Sequence, residues 1–222
     1  MTSWLFIHGA GSSRLTWTYQ LGAVSPMKRI DLPNLGGAPE TLIERLAAWS
    51  LEHLSDRTVV VGHSMGGAIA QTIARQAPSR VAGLVLVGTG PILPVNPVII
   101  SGIADILPKI ARWSLGEKPN PTIYQNSLQR LQEIDPQRLR REFVACNLFD
   151  SRQWLSEINA PVAIIMGAQD RMTPPSLSQQ FLDYWPDALT YSMVAGHLMM
   201  LEQPRAFNDI LHSCAKRYDW HG

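Results

Sequence analysis

A β-branched apolar run, Thr58-Val59-Val60-Val61, passes through Gly62-His63-Ser64-Met65-Gly66 into a segment rich in helix formers, Ala68-Ile69-Ala70-Gln71-Thr72-Ile73-Ala74-Arg75. In that setting Gly-x-Ser-x-Gly reads as a strand, a sharp turn and a helix that folds back under the strand. The turn forces the serine into a strained backbone conformation and lifts its hydroxyl clear of the sheet edge. Side chains at Gly62 and Gly66 would collide where helix crosses strand, and Gly67 widens that allowance. A chain built around such a turn needs a sheet with helices on it, which points to the α/β class.

The rest of the chain agrees with this class. Short apolar runs alternate with helical patterns, as parallel βαβ units require. Strands are expected at residues 4–7, 27–31, 57–61, 81–87, 161–166 and 189–194. Val81-Ala82-Gly83-Leu84-Val85-Leu86-Val87 is almost continuously apolar, as a strand buried on both faces should be. Residues 41–54 have apolar positions at helical spacing (Leu42, Leu46, Trp49) and start with a Thr41-to-Glu44 capping pattern. The helix after Ser64 stops before Pro78, and the last helix, 204–217, turns Phe207, Ile210 and Leu211 inward.

Between residues 91 and 159 the alternation stops. Pro91, Pro94, Pro97, Pro108, Pro119, Pro121 and Pro136 punctuate mostly helical stretches such as 123–134 and 137–143. This segment joins two parallel strands, so it leaves the sheet and returns. It is expected to be a helical cap over the strand ends, with residues 1–90 and 160–222 forming the core domain, because ligands bind at that edge of open α/β sheets.

A chain of 222 residues that is 45% hydrophobic and 17% charged can bury one substantial core. Its formal net charge of +1 provides no electrostatic basis for binding nucleic acid. Cys146 and Cys214 match no metal-ligand spacing and read as free thiols in a reducing compartment. The N-terminal segment lacks a basic region and its apolar run is too short for a signal peptide, and no stretch reaches membrane-spanning length. A cytoplasmic location is expected, with no membrane partner.

A serine hydroxyl is a poor nucleophile at neutral pH and needs a base. Histidine suits the task because an imidazole ordinarily titrates near neutrality. The six histidines are His8, His53, His63, His197, His212 and His221. His63 adjoins the serine and should point away from it. His53 and His212 belong to helices, and His221 to the tail. His197 follows the last strand in Val194-Ala195-Gly196-His197, at the same sheet edge as Ser64, and is the candidate base.

Asp170 follows the strand at 161–166 and is the candidate acid that orients the base. The strand at 81–87 is followed by Gly88-Thr89-Gly90-Pro91, with no acid. Asp183 and Asp187 read as solvated surface charge. Backbone N–H groups of Met65, at the start of the helix after Ser64, and of Ala10, in His8-Gly9-Ala10-Gly11, are the candidate oxyanion donors. No metal or cofactor is called for.

Together these residues resemble the α/β-hydrolase superfamily across essentially the whole chain, and the order Ser64, Asp170, His197 matches it. Val-Gly-His-Ser-Met-Gly-Gly, His-Gly-x-Gly, Gly-x-x-Asp-x-x-Thr-Pro (167–174) and Gly-His-Leu-Met-Met-Leu-Glu-Gln-Pro (196–204) carry the likeness. It is similar above all to small bacterial carboxylesterases, including those that demethylate pimeloyl-acyl-carrier-protein methyl ester. The resemblance implies a mostly parallel sheet of about six strands flanked by helices, without the first two strands usual in the superfamily. The loop after Asp31 departs from the usual Pro-Gly-His-Gly and reads Pro33-Asn34-Leu35-Gly36-Gly37.

The function this implies is a serine carboxylic-ester hydrolase working through an acyl-enzyme on a small or acyl-chain ester. A narrower version acts on esters carried by an acyl carrier protein, meeting its acidic helix through Arg130, Arg138, Arg140 and Arg141. Glu133, Asp135 and Glu142 are interleaved with these arginines, so a solvated mixed-charge face explains them better. Hydrolysis of carbon–carbon bonds uses the same triad, and a non-catalytic binding protein is the reading outside enzymology. The apolar run Ile99, Ile100, Ile103, Ile106, Leu107, Ile110, Trp113 offers either a greasy pocket or ordinary cap core.

Overall fold

In a computed structural model of the chain, which describes residues 1–103 and 105–220, the apolar runs form six strands: β1 (Ser3–Ile7), β2 (Met27–Ile30), β3 (Thr58–His63), β4 (Val81–Val87), β5 (Val162–Gly167) and β6 (Leu189–Met193). Their order is β2-β1-β3-β4-β5-β6, and every neighbouring pair is parallel. All six therefore end at one edge. The helices are α1 (Leu42–Ser50), α2 (Met65–Gln76), α3 (Pro97–Ser101), α4 (Leu107–Trp113), α5 (Pro121–Glu133), α6 (Pro136–Leu148), α7 (Pro175–Gln179), α8 (Met199–Glu202) and α9 (Pro204–Arg217).

Side chains alternate across the sheet with period two, and each face has its own core. Leu5, Ile7, Val60, Leu84, Leu86 and Ile164 pack with α1, α2 and the end of α6. Trp4, Phe6, Val59, Val61, Val85 and Ile165 pack with α8 and α9. On that second face Trp4 meets Trp220 edge to face with centroids 5.6 Å apart, and Phe6 meets Trp17 likewise at 5.1 Å. Phe207 and Leu211 are buried as expected, whereas Ile210 is only partly covered.

The segment between β4 and β5 is helical and pinched at its root. Ile92 bridges Asp150, and both the N–H and the hydroxyl of Ser151 donate to Pro91 O, each at 2.9 Å. Its helices share a separate apolar cluster of Ile99, Ile103, Ile106, Ile110, Leu131 and Phe143. The apolar run at 99–113 is broken rather than one helix, since Gly102 ends α3 and Pro108 sits in the first turn of α4. Asn96, Asn120 and Asp135 each precede a proline and accept the N–H two residues on, starting α3, α5 and α6. Helix α6 runs to Leu148, beyond the expected 143.

The Thr41 capping box does not form. Thr41 ends a short 3₁₀ turn, and its hydroxyl accepts from Arg45 Nε at 3.3 Å instead of capping α1. The α-helix there is correspondingly shorter than 41–54, ending in another 3₁₀ turn at Leu51–His53.

Candidate active site

Ser64 stands between β3 and α2 at φ 54°, ψ −121°, a left-handed conformation that costs a non-glycine residue about 1–3 kcal/mol. Its N–H donates to Val87 O at 2.9 Å, while its carbonyl accepts from Gly67 N at 2.8 Å and Thr89 Oγ1 at 2.9 Å. The surroundings pin the turn open. A Cβ on Gly62 would lie 2.2 Å from Gly66 O, and one on Gly66 would lie 2.3 Å from Ile7 O.

Asp170 follows β5 and is buried. Its Oδ1 accepts the N–H groups of Met172 (2.8 Å) and Thr173 (2.9 Å), which leaves Oδ2 for His197 Nδ1 at 2.7 Å. Thr173 Oγ1 lies 2.9 Å from that same Oδ2, 3.0 Å from His197 Nδ1 and 2.8 Å from Gly88 O. Sequence reasoning passed over Thr173, although the Asp-x-x-Thr spacing was its signal. Among the described residues neither His197 Nε2 nor Ser64 Oγ has a protein hydrogen bond, yet both residues line one cavity of about 390 Å³. A second cavity of about 430 Å³ also reaches Ser64, lined by Leu93, Val95, Ile99, Trp113 and Leu177 among others. Phe143 and Met172, like Ser64, line both.

His63 makes no hydrogen bond to Ser64 among the described residues and is a contact of His197 that the sequence did not reveal. Its Nε2 donates to His197 O at 3.0 Å, and the two rings lie 4.4 Å apart. Burial holds its pKa well below the ordinary histidine value, with the neighbouring His197 acting the same way. Glu202 Oε1 accepts Gly196 N at 2.9 Å and Oε2 accepts Gly116 N at 2.8 Å, tying the His197 loop to the residues after α4. Burial raises the Glu202 carboxyl above its usual range, against the pull of those two N–H groups.

Ala10 lines the first cavity, and its loop lies on Ser64: a Cβ on Gly9 would sit 2.9 Å from Ser64 Cβ. Met65 begins α2 immediately after Ser64. The remaining histidines lie elsewhere. His8 is buried in the loop beneath Ala10, His53 is at the end of the 3₁₀ turn after α1, His212 is on α9, and His221 lies outside the described residues.

Each of the four arginines has a hydrogen-bond partner within the chain. Arg138 Nε binds Glu142 Oε1 at 2.7 Å and its Nη2 donates to Leu32 O at 3.0 Å. Arg140 Nε donates to Ile100 O, Arg141 Nη2 to Asn34 Oδ1, and Arg130 Nη1 meets Glu133 Oε2. Arg138 and Arg141 reach the loop after β2 and Arg140 reaches α3, whereas Arg130 pairs with an acid one turn on within α5. Arg130 alone of the four lines the first cavity.

A model of the Alpha/beta hydrolase family matches residues 4–210. The chain belongs to that family. It is 28% identical to a pimeloyl-[acyl-carrier protein] methyl ester esterase of Aromatoleum aromaticum, covering 90% of this chain and 92% of that one. The protein of the same name from Pectobacterium atrosepticum is 24% identical, covering 94% and 92%. Among solved structures, a thermophilic esterase superposes with a TM-score of 0.83 at 29% identity, covering 97% of this chain and 90% of its own. These relatives place the chain among the esterases of the family. No helix among the described residues is long and apolar enough to cross a membrane.

Proposed function

We propose that the protein is a serine carboxylesterase working through an acyl-enzyme, with Ser64 as nucleophile, His197 as base and Asp170 as the group that orients it. Ser64 Oγ attacks the ester carbonyl carbon as His197 Nε2 takes its proton. The backbone N–H groups of Met65 and Ala10 stabilise the oxyanion. Collapse of the intermediate expels the alcohol with a proton from His197. Water then attacks the acyl-enzyme with His197 again as base, releasing the acid and regenerating Ser64. The chemistry needs no metal or cofactor. Residues 91–159 act as a cap that encloses the acyl group. The observation that carries this reading is the strained Ser64 on the wall of a cavity it shares with the His197–Asp170 pair.

A narrower substrate, an acyl ester presented by an acyl carrier protein, is supported by the names of the sequence relatives and by Arg130 at the cavity wall. Arg138 and Arg141 contribute less to a carrier surface, since both reach inward to the loop after β2.

The test is hydrolysis of p-nitrophenyl esters of increasing acyl length by wild type and by Ser64→Ala, with a carrier-linked methyl ester assayed beside its free counterpart. Wild type turns over the chromogenic esters, and Ser64→Ala loses on the order of 10⁶ in kcat. A higher kcat/KM on the carrier-linked ester supports the narrower substrate; parity removes it. Turnover that survives in Ser64→Ala removes the serine mechanism.

A further inference from the structure

Glu142 looks from the sequence like one acid in a mixed-charge helix, but it is 4% exposed and reaches from α6 into the loop that carries Ala10. Its Oε2 accepts the N–H of Gly11 at 2.8 Å and its Oε1 accepts Arg138 Nε at 2.7 Å. Arg138 in turn donates to Leu32 O, and Leu32 N–H donates to His8 Nε2 at 3.0 Å. With Nε2 accepting, the His8 proton is on Nδ1, which donates to Gly9 O at 2.8 Å. The hydrogen bonds form a closed ring from Gly9 through His8, Leu32, Arg138 and Glu142 to Gly11.

The ring encloses one residue, Ala10. A peptide unit is planar, so His8 holding the Gly9 carbonyl fixes the direction of the Ala10 N–H on the opposite side of the same plane. Glu142 holding the Gly11 N–H fixes the next plane. Between them the two bonds set the backbone of Ala10 from both sides. Gly11 is at φ +66°, and a Cβ there would lie 2.7 Å from Leu139 Cδ1 and 2.8 Å from Leu131 Cδ2. The loop is thus pressed against α5 and α6 at the point where Glu142 grips it.

We propose that Glu142 is a positioning residue that aims the Ala10 N–H at the oxyanion, so that a helix inserted between β4 and β5 sets the catalytic power of a loop that follows β1. The inference rests on the reading of Ala10 as an oxyanion donor in a serine esterase. Glu142 does not line the cavities at Ser64 and acts through Gly11, not through the substrate. Freeing the Gly11 N–H opens the ring and removes one of the two holds on Ala10, so the Gly9–Ala10 plane is left to the His8 bond alone and the Ala10 donor drifts off the oxyanion while the substrate pocket keeps its shape.

Glu142→Leu is assayed against wild type with a p-nitrophenyl ester and with an alkylboronic acid, which forms a tetrahedral adduct on the serine. The expected result is a kcat lower by about 10- to 100-fold, below the loss for deleting an oxyanion donor outright. KM stays within about threefold, and boronic acid affinity falls by the same factor as kcat. A folded variant with wild-type kcat overturns the proposal. So does a variant whose KM rises while kcat and boronic acid affinity hold. If Glu142→Leu does not fold, Glu142→Asp keeps a partner for Arg138 but withdraws from Gly11. It should lose about three- to tenfold in kcat with the same split, and wild-type kcat there overturns the proposal equally. Ser64→Ala is run alongside: turnover surviving in that variant overturns the serine mechanism, and this inference with it.

Discussion

Asp170 meets His197 with one oxygen because the other is already taken by the N–H groups of Met172 and Thr173. That division makes the effect of Asp170→Asn calculable from hydrogen-bond chemistry. The amide oxygen must stay on the two backbone donors, so the amide NH₂ faces His197 Nδ1 and donates to it. His197 then carries its proton on Nε2 and cannot accept the Ser64 proton. The expected loss is on the order of 10⁴ in kcat with little change in KM, measured by steady-state kinetics on a chromogenic ester. A near-normal rate in the variant would place the orienting acid elsewhere. Ser64, Asp170 and His197 were legible because each follows its own strand at the same sheet edge, and a short loop motif marks each one. Thr173 was half-legible, since its motif was visible but its hydroxyl's three neighbours were not. Glu142 was illegible: its partner Gly11 is 131 positions away, and no local pattern distinguishes it from a solvated acid.

The unit formed by β3, Ser64 and α2 works only while the helix lies directly on the strands. Gly62 meets the Gly66 carbonyl, Gly66 meets the Ile7 carbonyl, and Gly67 meets the Thr89 side chain, which can give more readily than backbone. A methyl at Gly66 strikes the backbone of β1, which no rotamer change relieves, so α2 must lift. Gly66→Ala should destabilise by about 3 kcal/mol, at the upper end of overpacking effects, and lose activity with the displaced Ser64. Gly36→Ala, where nothing lies within 4 Å, is the control and should be neutral or slightly stabilised. Urea midpoints of the two variants check this; equal midpoints would mean that the crossing has slack. The strands were readable to within a residue or two because their apolar runs are bounded by loops. The helices between β4 and β5 were less so, because the starts of α3, α5 and α6 are set by Asn-Pro and Asp-Pro caps and the packing of all four by one another. The Thr41 capping box failed for a related reason: a preceding 3₁₀ turn diverted the hydroxyl to Arg45.

At the scale of the whole molecule, two imidazoles are buried at the sheet edge among the loops that carry Ala10, Ser64 and His197. His8 is 1% exposed and accepts Leu32 N–H; His63 is 2% exposed and packs on His197. Burial lowers the pKa of both, more strongly for His63. In the unfolded chain each regains an ordinary value near 6.5. Below that pH the unfolded state binds protons that the folded state refuses, so stability is complete above about pH 7.5 and declines as pH falls through 6.5. Each histidine contributes a slope of up to about 1.4 kcal/mol per pH unit. His53, lowered by burial and by Lys28, adds in the same sense. Glu202 acts oppositely: its raised carboxyl takes up a proton more readily when folded, so it softens the decline at the acid end. Urea unfolding at pH 8, 7, 6 and 5.5 should therefore show a level midpoint at the first two and a falling one thereafter, with net proton uptake on unfolding at pH 6. A midpoint that is constant down to pH 5.5 would mean that His8 and His63 accept protons without leaving the fold. In that case the ring of hydrogen bonds around Ala10, which requires a neutral His8, would be free to open in the native state.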